Sequence, residues 1–217
     1  MLQLAEIFEN NNEGIKQISN GNFIAAQKAF RTALLNLRDF YHLRQQEKER
    51  SQFYSITIEP RRIPFSSRKK SHSNSHYVYR NALLAYVDPN PPKEPCQDCA
   101  GLTAMLVFNL SLVYHCMAEQ YQTKSDYTKV LRTYKKAWDA LQKDSLHHDA
   151  IAVGILNNMG AIFHELAKYR QAQQCFKALK KVVSSKRAGV LALQPDARTG
   201  IILNVLFLEE PTTAVAA

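Results

Sequence analysis

Hydrophobic residues recur at helical spacing in three stretches of the chain, at about 7–40, 101–141 and 151–183. Their apolar positions repeat every three to four residues, the period that marks one buried helix face, and each stretch is long enough for two helices. In the first stretch Asn20-Gly21 separates the two helices, because glycine tolerates a left-handed backbone. The pattern therefore predicts three helical hairpins.

Between about 41 and 100 the helical pattern lapses. Residues 52–59 (QFYSITIE) and 76–87 (HYVYRNALLAYV) are rich in β-branched and aromatic residues, which predicts the two strands of a β-hairpin. Residues 60–75 are too polar and basic to pack, so we expect them to be mobile. The prolines of residues 88–99 break any helix there. We interpret 41–100 as an insertion between the first and second helical hairpins.

Near the end of the chain, residues 201–208 form a short apolar run that stops before Pro211. We expect a final helix within 196–210. A helical repeat buries its face only against a neighbour, so such a helix would cover the open end of the last hairpin.

The third stretch contains ILNNMGAIFHELAKYRQAQQCFKAL, residues 155–179, which resembles one tetratricopeptide repeat. The resemblance implies that Gly160 lies where the first helix meets its neighbours and that Ala172 lies where the two helices cross. It also implies that three aromatic side chains fill the remaining space: Phe163, Tyr169 and Phe176.

The other two stretches resemble the same repeat less closely. The resemblance implies a mainly α fold, a tetratricopeptide-like α-α superhelix of about three helix-turn-helix repeats with a β-hairpin-like insertion and a C-terminal capping helix. We expect residues 1–217 to form this single domain, with repeats at about 7–40, 101–141 and 151–183, the insertion at 41–100 and the cap at 196–210. The layout also resembles algal tetratricopeptide-like proteins, a resemblance that names no activity.

Tetratricopeptide proteins usually bind a peptide or a partner helix in a concave groove lined by the first helix of each repeat. The resemblance implies a peptide-binding groove that includes Asn11, Asn109, Leu112, His115, Asn157, Asn158 and His164. Asparagine suits this role because its amide both donates to and accepts from an extended backbone. The alternative is that these asparagines face solvent or tie a neighbouring helix. The positions that carry the lysines and arginine of the family's clamp for a C-terminal carboxylate hold other residues in the first and third repeats, so we do not expect that ligand.

An isolated two-stranded hairpin is not stable, so the predicted strands must pack on the helices. The sequence leaves two places open, the outer face and the groove. A hairpin over the groove would occupy the site of a ligand.

The formal net charge of +9 is concentrated in two runs that lack acids, residues 60–87 and 166–195. Such runs favour acidic partners, or they form a solvated face. They make a basic nucleic-acid-binding protein the alternative to a peptide-binding scaffold. The predicted basic patch consists of Arg61, Arg62, Arg68, Lys69, Lys70, Lys177, Lys180 and Lys181.

Cys96 and Cys99 have the spacing of a zinc or redox pair, and His72 and His76 lie upstream of them. Two thiolates and two imidazoles would complete a tetrahedral zinc site. No second pair of this kind exists, and an ordinary loop is the competing interpretation. We therefore predict no cofactor and keep this metal site as a weak candidate.

The start of the chain has acids and asparagines where a secretory signal needs a basic and then an apolar region. We expect no membrane span and a cytoplasmic or nuclear location. The chain carries no phosphate-binding glycine loop, GxSxG or HExxH motif, so we do not expect an enzyme. The sequence predicts a protein-protein interaction scaffold or adaptor that binds a peptide or partner helix.

Overall fold

A computed structural model describes residues 2–46, 56–63, 78–87, 99–121, 124–143, 148–185 and 195–209. Within these ranges the chain forms seven helices and one two-stranded antiparallel sheet, which confirms the mainly α class. The elements are α1 (Leu2–Ser19), α2 (Phe23–Gln46), β1 (Ile56–Arg62), β2 (Asn81–Val87), α3 (Cys99–Tyr121), α4 (Lys124–Leu141), α5 (Asp149–Glu165), α6 (Tyr169–Ser184) and α7 (Pro195–Glu209).

The first six helices pack as sequence-adjacent pairs, α1 on α2, α3 on α4 and α5 on α6. The break between α1 and α2 falls at the predicted Asn20-Gly21. Gly21 has a φ of 76°, and its N–H donates to the carbonyl of Ile18 at 2.9 Å. Helix α7 packs on α6 and α5, so the last hairpin is covered from the C-terminal side.

A small residue of the first helix lies under an aromatic ring of the second in two of the pairs. A Cβ added to Gly160 would lie 2.5 Å from Phe176, and one added to Gly14 would lie 2.6 Å from Phe30. The expected close approach at Gly160 is therefore present. Tyr169 was expected to fill the same space, but it is 56% exposed at the start of α6, so that expectation is wrong.

The two strands lie within the predicted hairpin, although β1 ends at Arg62 and residues 78–80 precede β2 without being part of it; residues 52–55 and 76–77 of the prediction lie outside the described ranges. β1 pairs with β2 in a register that places Ile56 opposite Val87 and Arg62 opposite Asn81. β1 continues through Pro60, where the sequence predicts the start of a mobile segment. Leu83, the residue opposite Pro60, directs its own N–H and C=O away from β1. The β1–β2 ladder therefore needs no amide donor at Pro60, and a proline is tolerated there.

Helix α3 lies at the centre of the fold and packs against α1, α2, α4, α5 and β2. Its window Ala100–Gln120 is long and apolar enough to cross a membrane by length and composition alone, which the expectation of no membrane span did not anticipate. Most of that window is buried inside the protein, and a core helix of a soluble protein passes the same test. The central position of α3 in the fold therefore accounts for its apolar composition.

Candidate functional site

Strand β2 is bonded to asparagine side chains of the helices beneath it. The N–H of Leu83 donates to Oδ1 of Asn109 at 2.9 Å, and Nδ2 of Asn109 donates to the carbonyl of Leu83 at 2.8 Å. The same carbonyl accepts a bond from Nδ2 of Asn11 at 3.1 Å. Helices α1 and α3 thus both bond to the backbone of one strand residue.

A second asparagine holds the chain just before β2 in the same way. Oδ1 of Asn158 accepts from the N–H of Tyr79 at 2.7 Å, and Nδ2 of Asn158 donates to the carbonyl of Tyr79 at 3.0 Å. Nδ2 also donates to the hydroxyl of Tyr134 at 2.9 Å. Helix α5 therefore binds the segment 79–87 four residues before α3 does.

Bonds between side-chain amides link these asparagines in two buried groups, one on α1 and α3 and one on α5 and α7. Nδ2 of Asn109 donates to Asn11 at 2.9 Å, and Nδ2 of Asn157 donates to Asn158 at 3.2 Å. Asn204 of α7 donates to Oδ1 of Asn157 at 2.9 Å. We call this set the asparagine network: Asn11, Asn109, Asn157, Asn158 and Asn204, all buried.

The asparagine network provides the segment 79–87 with the hydrogen-bond donors and acceptors that a neighbouring strand would provide. Each of Asn109 and Asn158 supplies one donor and one acceptor to a single residue, the pair of groups that a peptide unit presents in a sheet. A buried backbone group without a partner costs about 1–3 kcal/mol, so this pairing stabilises the segment in a place from which water is excluded. The contacts involve backbone atoms of the strand and do not depend on its side chains.

Side chains of the strand fill apolar space around the same asparagines. Tyr79 and Leu83 are fully buried, and the ring of Tyr79 lies 6.2 Å from that of Phe108 between ring centroids. Gly154 makes room for both rings, since a Cβ there would lie 2.8 Å from Phe108 and 2.9 Å from Tyr79. The strand is therefore held by two large apolar anchors as well as by its backbone.

One end of this face carries buried titratable groups. Burial lowers the pKa of His115 to about 4, so its ring is neutral at pH 7. The ring packs edge-on against Tyr127 and Tyr134, and Nδ1 lies 3.4 Å from the Tyr134 hydroxyl. Burial also raises the pKa of Tyr134, so its hydroxyl stays protonated beside Asn158.

An ion pair between Arg80 and Glu119 lies at the same end of the face as His115. Arg80 Nη2 lies 2.9 Å from the Glu119 carboxylate, and both side chains are partly buried. The guanidinium follows Tyr79 in the chain, and Glu119 lies in the last turn of α3. The pair ties the strand segment to α3 beyond the asparagine network.

The residues predicted to line the groove divide into two groups. Asn11, Asn109 and Asn158 meet around the strand, while Asn157 supports Asn158 from behind. Leu112 and His115 are buried in the core, and His164 lies apart at the end of α5, its ring 5.1 Å from that of Tyr169. The side-chain amides bond to extended backbone of the chain itself, and binding of a separate peptide by these residues stays a prediction.

Three members of the site were missed from the sequence: Tyr79, Leu83 and Asn204. Asn204 stands alone among apolar residues of α7, a pattern that marks a buried amide with a partner. Tyr79 and Leu83 give no such signal, because any apolar strand residue could occupy those positions.

The other candidate residues lie partly within and partly outside the described ranges. Arg61, Lys177, Lys180 and Lys181 are exposed, and Arg62 pairs with Asp196 of α7 at 3.0 Å. Arg68, Lys69 and Lys70 lie outside the described ranges, as do His72, His76 and Cys96. The side chain of Cys99 is likewise outside the described part of the protein. The residues that are described contain no group of three His, Cys, Asp or Glu side chains able to hold a metal ion.

Comparison with known proteins adds no relative to this picture. No protein-family model, no curated protein and no solved structure matches the chain.

Proposed function

We propose that this protein is an interaction scaffold of tetratricopeptide-like architecture whose α1, α3 and α5 face binds an extended peptide through its backbone. The observation that carries the proposal is the paired bonding of Asn109 to Leu83 and of Asn158 to Tyr79. Recognition of this kind resembles the addition of a strand to a sheet edge, where main-chain bonds give affinity and pockets give specificity.

The repeat architecture is supported by one spacing that recurs in all three helical hairpins. A small residue precedes a fully buried aromatic by sixteen residues at Gly14 and Phe30, at Ala118 and Tyr134, and at Gly160 and Phe176. The close contact itself is present at the two glycines, and a spacing that recurs in all three hairpins is expected of a repeat protein, since each unit stacks on the next by the same face.

The segment 79–87 occupies the proposed site, so it acts as a ligand supplied by the same chain. A competing peptide must displace it, and the apparent affinity falls by the fraction of molecules in which the face is free. The contacts that support the proposal therefore also keep the affinity of the wild-type protein for a separate peptide low.

The test uses the full chain with Tyr79→Ala and Leu83→Ala, which removes both apolar anchors of the resident strand and leaves the asparagine network intact. A labelled peptide with the sequence of residues 78–87 should bind this variant at least tenfold more tightly than it binds wild type. If the variant is partly unfolded, the peptide should raise its melting temperature.

The control is a second peptide that differs from the first by one methyl group on the backbone. The same peptide N-methylated at the amide of Leu83 cannot donate to Asn109 and should bind at least tenfold more weakly. In a variant that also carries Asn109→Ala, the two peptides should bind equally. Failure of the unmodified peptide to bind, or no effect of the methyl group, would show that 79–87 is a fixed structural element and the proposal is wrong.

A further inference from the structure

Asn81 is a buried side chain of β2 whose amide nitrogen has no hydrogen-bond partner among the described residues. Its exposed fraction is 3%, and Nδ2 is buried without an acceptor. The members of the asparagine network are equally buried, and each of them donates a hydrogen bond through its amide. Asn81 is therefore the exception among the buried asparagines in the described part of the chain.

The alternation of side chains along β2 places Asn81 on an apolar side of the strand. Asn81, Leu83 and Ala85 follow one another at every second position, and all three are buried. Leu83 and Ala85 belong to the main hydrophobic core. An amide buried without a partner loses its bonds to water, which costs roughly 5- to 150-fold in an equilibrium constant.

The resident segment 79–87 is thus a ligand that carries one unfavourable contact. Covalent attachment holds the segment at a high effective concentration beside the face, so it occupies the face without ideal contacts. A separate partner lacks this advantage and must gain free energy from its side chains. The position of Asn81 is where such a gain is available, because an apolar side chain there has no amide to desolvate.

The neighbouring positions define what else a partner must supply. The ring of Tyr79 lies beside Phe108 in the room left by Gly154, and Leu83 is fully buried. Ala82 is also fully buried, within the second hydrophobic cluster, so a larger side chain at that position would overpack the core. An aromatic residue, a small residue and a leucine are therefore required at fixed spacing.

Arg80 adds a charged contact to this pattern. Its Nη2 donates to both carboxylate oxygens of Glu119, at 3.1 and 2.9 Å. Both side chains are partly buried, so a peptide without the guanidinium would leave the Glu119 carboxylate partly desolvated and without that cation. Such a penalty discriminates against the wrong peptide more than it strengthens the right one.

We propose that the partner of the peptide-binding face carries an extended segment of the pattern aromatic–Arg–apolar–small–Leu. This pattern matches residues 79–83 except at Asn81, where the apolar side chain of the partner allows it to displace the resident segment. The inference rests on the proposed function, and it assigns Asn81 the role of keeping the resident segment displaceable and Glu119 the role of selecting arginine.

The first test needs no peptide. Asn81→Leu keeps the branched outline of the side chain and removes the amide, so it should raise the melting temperature of the full chain by about 2–10 °C. The matched control is Asn109→Leu, the same change at a buried asparagine whose amide is bonded, and it should lower the melting temperature. Asn81→Ala adds no volume, so it should leave the melting temperature unchanged or raise it even if leucine proves too large.

The second test measures binding to the full chain carrying Tyr79→Ala, Arg80→Ala and Leu83→Ala, in which the resident segment no longer competes at these contacts. A labelled peptide of residues 78–87 with Asn81→Leu should bind roughly 5- to 150-fold more tightly than the unmodified peptide. A scrambled peptide of the same composition should not bind, which separates this gain from non-specific hydrophobic binding.

The third test is a double-mutant cycle between peptide and protein. Arg80→Gln in the peptide should weaken binding by about 5- to 10-fold, a modest effect because the pair is partly exposed. The loss should disappear when the protein also carries Glu119→Gln. It should persist with Asp139→Asn, which removes an exposed carboxylate of α4.

Any of three results would overturn the proposal. The first is a lower melting temperature for both Asn81→Leu and Asn81→Ala, which would show that the amide is satisfied. The second is equal affinity of the unmodified and Asn81→Leu peptides. The third is an Arg80→Gln loss that does not depend on Glu119. If the unmodified peptide binds in these experiments, the proposed function stands and only this inference is lost, whereas failure of every peptide to bind overturns both.

Discussion

Pro60 of β1 lies directly opposite Leu83 of β2, and Leu83 is the residue whose N–H and C=O are both bonded to Asn109. A proline cannot donate to a sheet ladder, and at this position no donor is needed. Leu83 directs both backbone groups to the edge away from β1, where the Asn109 side chain takes the place of a further strand.

Removal of the Asn109 amide should destabilise the protein strongly. Asn109→Ala leaves the buried N–H of Leu83 without its acceptor and weakens the bonding of the carbonyl, so we expect a loss of about 2–4 kcal/mol in the free energy of unfolding. Urea denaturation measures it. Asn10→Ala, which removes a less buried amide on α1, should cost less than about 0.5 kcal/mol. Equal effects would mean that water replaces the Asn109 bonds.

Closer packing at Gly160 should be costly for a different reason. A Cβ there would lie 2.5 Å from the Phe176 ring, so Gly160→Ala should lower stability by about 1–3 kcal/mol. Adding Phe176→Leu to that variant makes space, and the two changes together should cost less than the sum of the single changes. Strict additivity in thermal or chemical melts would show that the two residues do not share this space.

Stability should depend on pH through His115. Its pKa is lowered to about 4 in the folded state against 6.5 for an unperturbed ring, so between these values the unfolded chain binds more protons. The contribution of His115 is complete above pH 6.5 and is lost as the pH falls toward 4. A His115→Gln variant should show a shallower decrease over this window, whereas a variant of the exposed His42, His42→Gln, should follow wild type. Parallel curves for wild type and His115→Gln would contradict the burial of a neutral ring.

The helical hairpins could be predicted from the hydrophobic periodicity and from one turn signal, Asn20-Gly21, because both depend only on residues close together in the chain. The asparagines of the first helices are also visible in the sequence. The partner of these asparagines is not visible in the sequence, because the asparagines bond to backbone atoms of Tyr79 and Leu83, and every residue carries those backbone atoms. The end of β1 was misplaced for a related reason: Pro60 is acceptable because it lies at a ladder position that needs no amide donor, and that position depends on the register with β2.

The position of Tyr169 was mispredicted by carrying a repeat pattern over to a single side chain. The pattern correctly places a small residue under Phe176, where two helices meet. The pattern does not determine the orientation of the first side chain of α6, because a ring at that position can point outward without leaving a cavity. Sequence periodicity determines which helix faces are buried more firmly than it determines the residues at helix ends.

The asparagine network also affects the route by which the chain folds. Repeat proteins usually gain structure through contacts between neighbouring units, and short sequence separations make them fast. Here Asn11 bonds to Asn109 across 98 residues and to Leu83 across 72, and Asn158 reaches Tyr79 across 79. Three helical hairpins cannot complete their shared face until the strand arrives, so we expect them to fold together, and more slowly than their helical content alone would suggest.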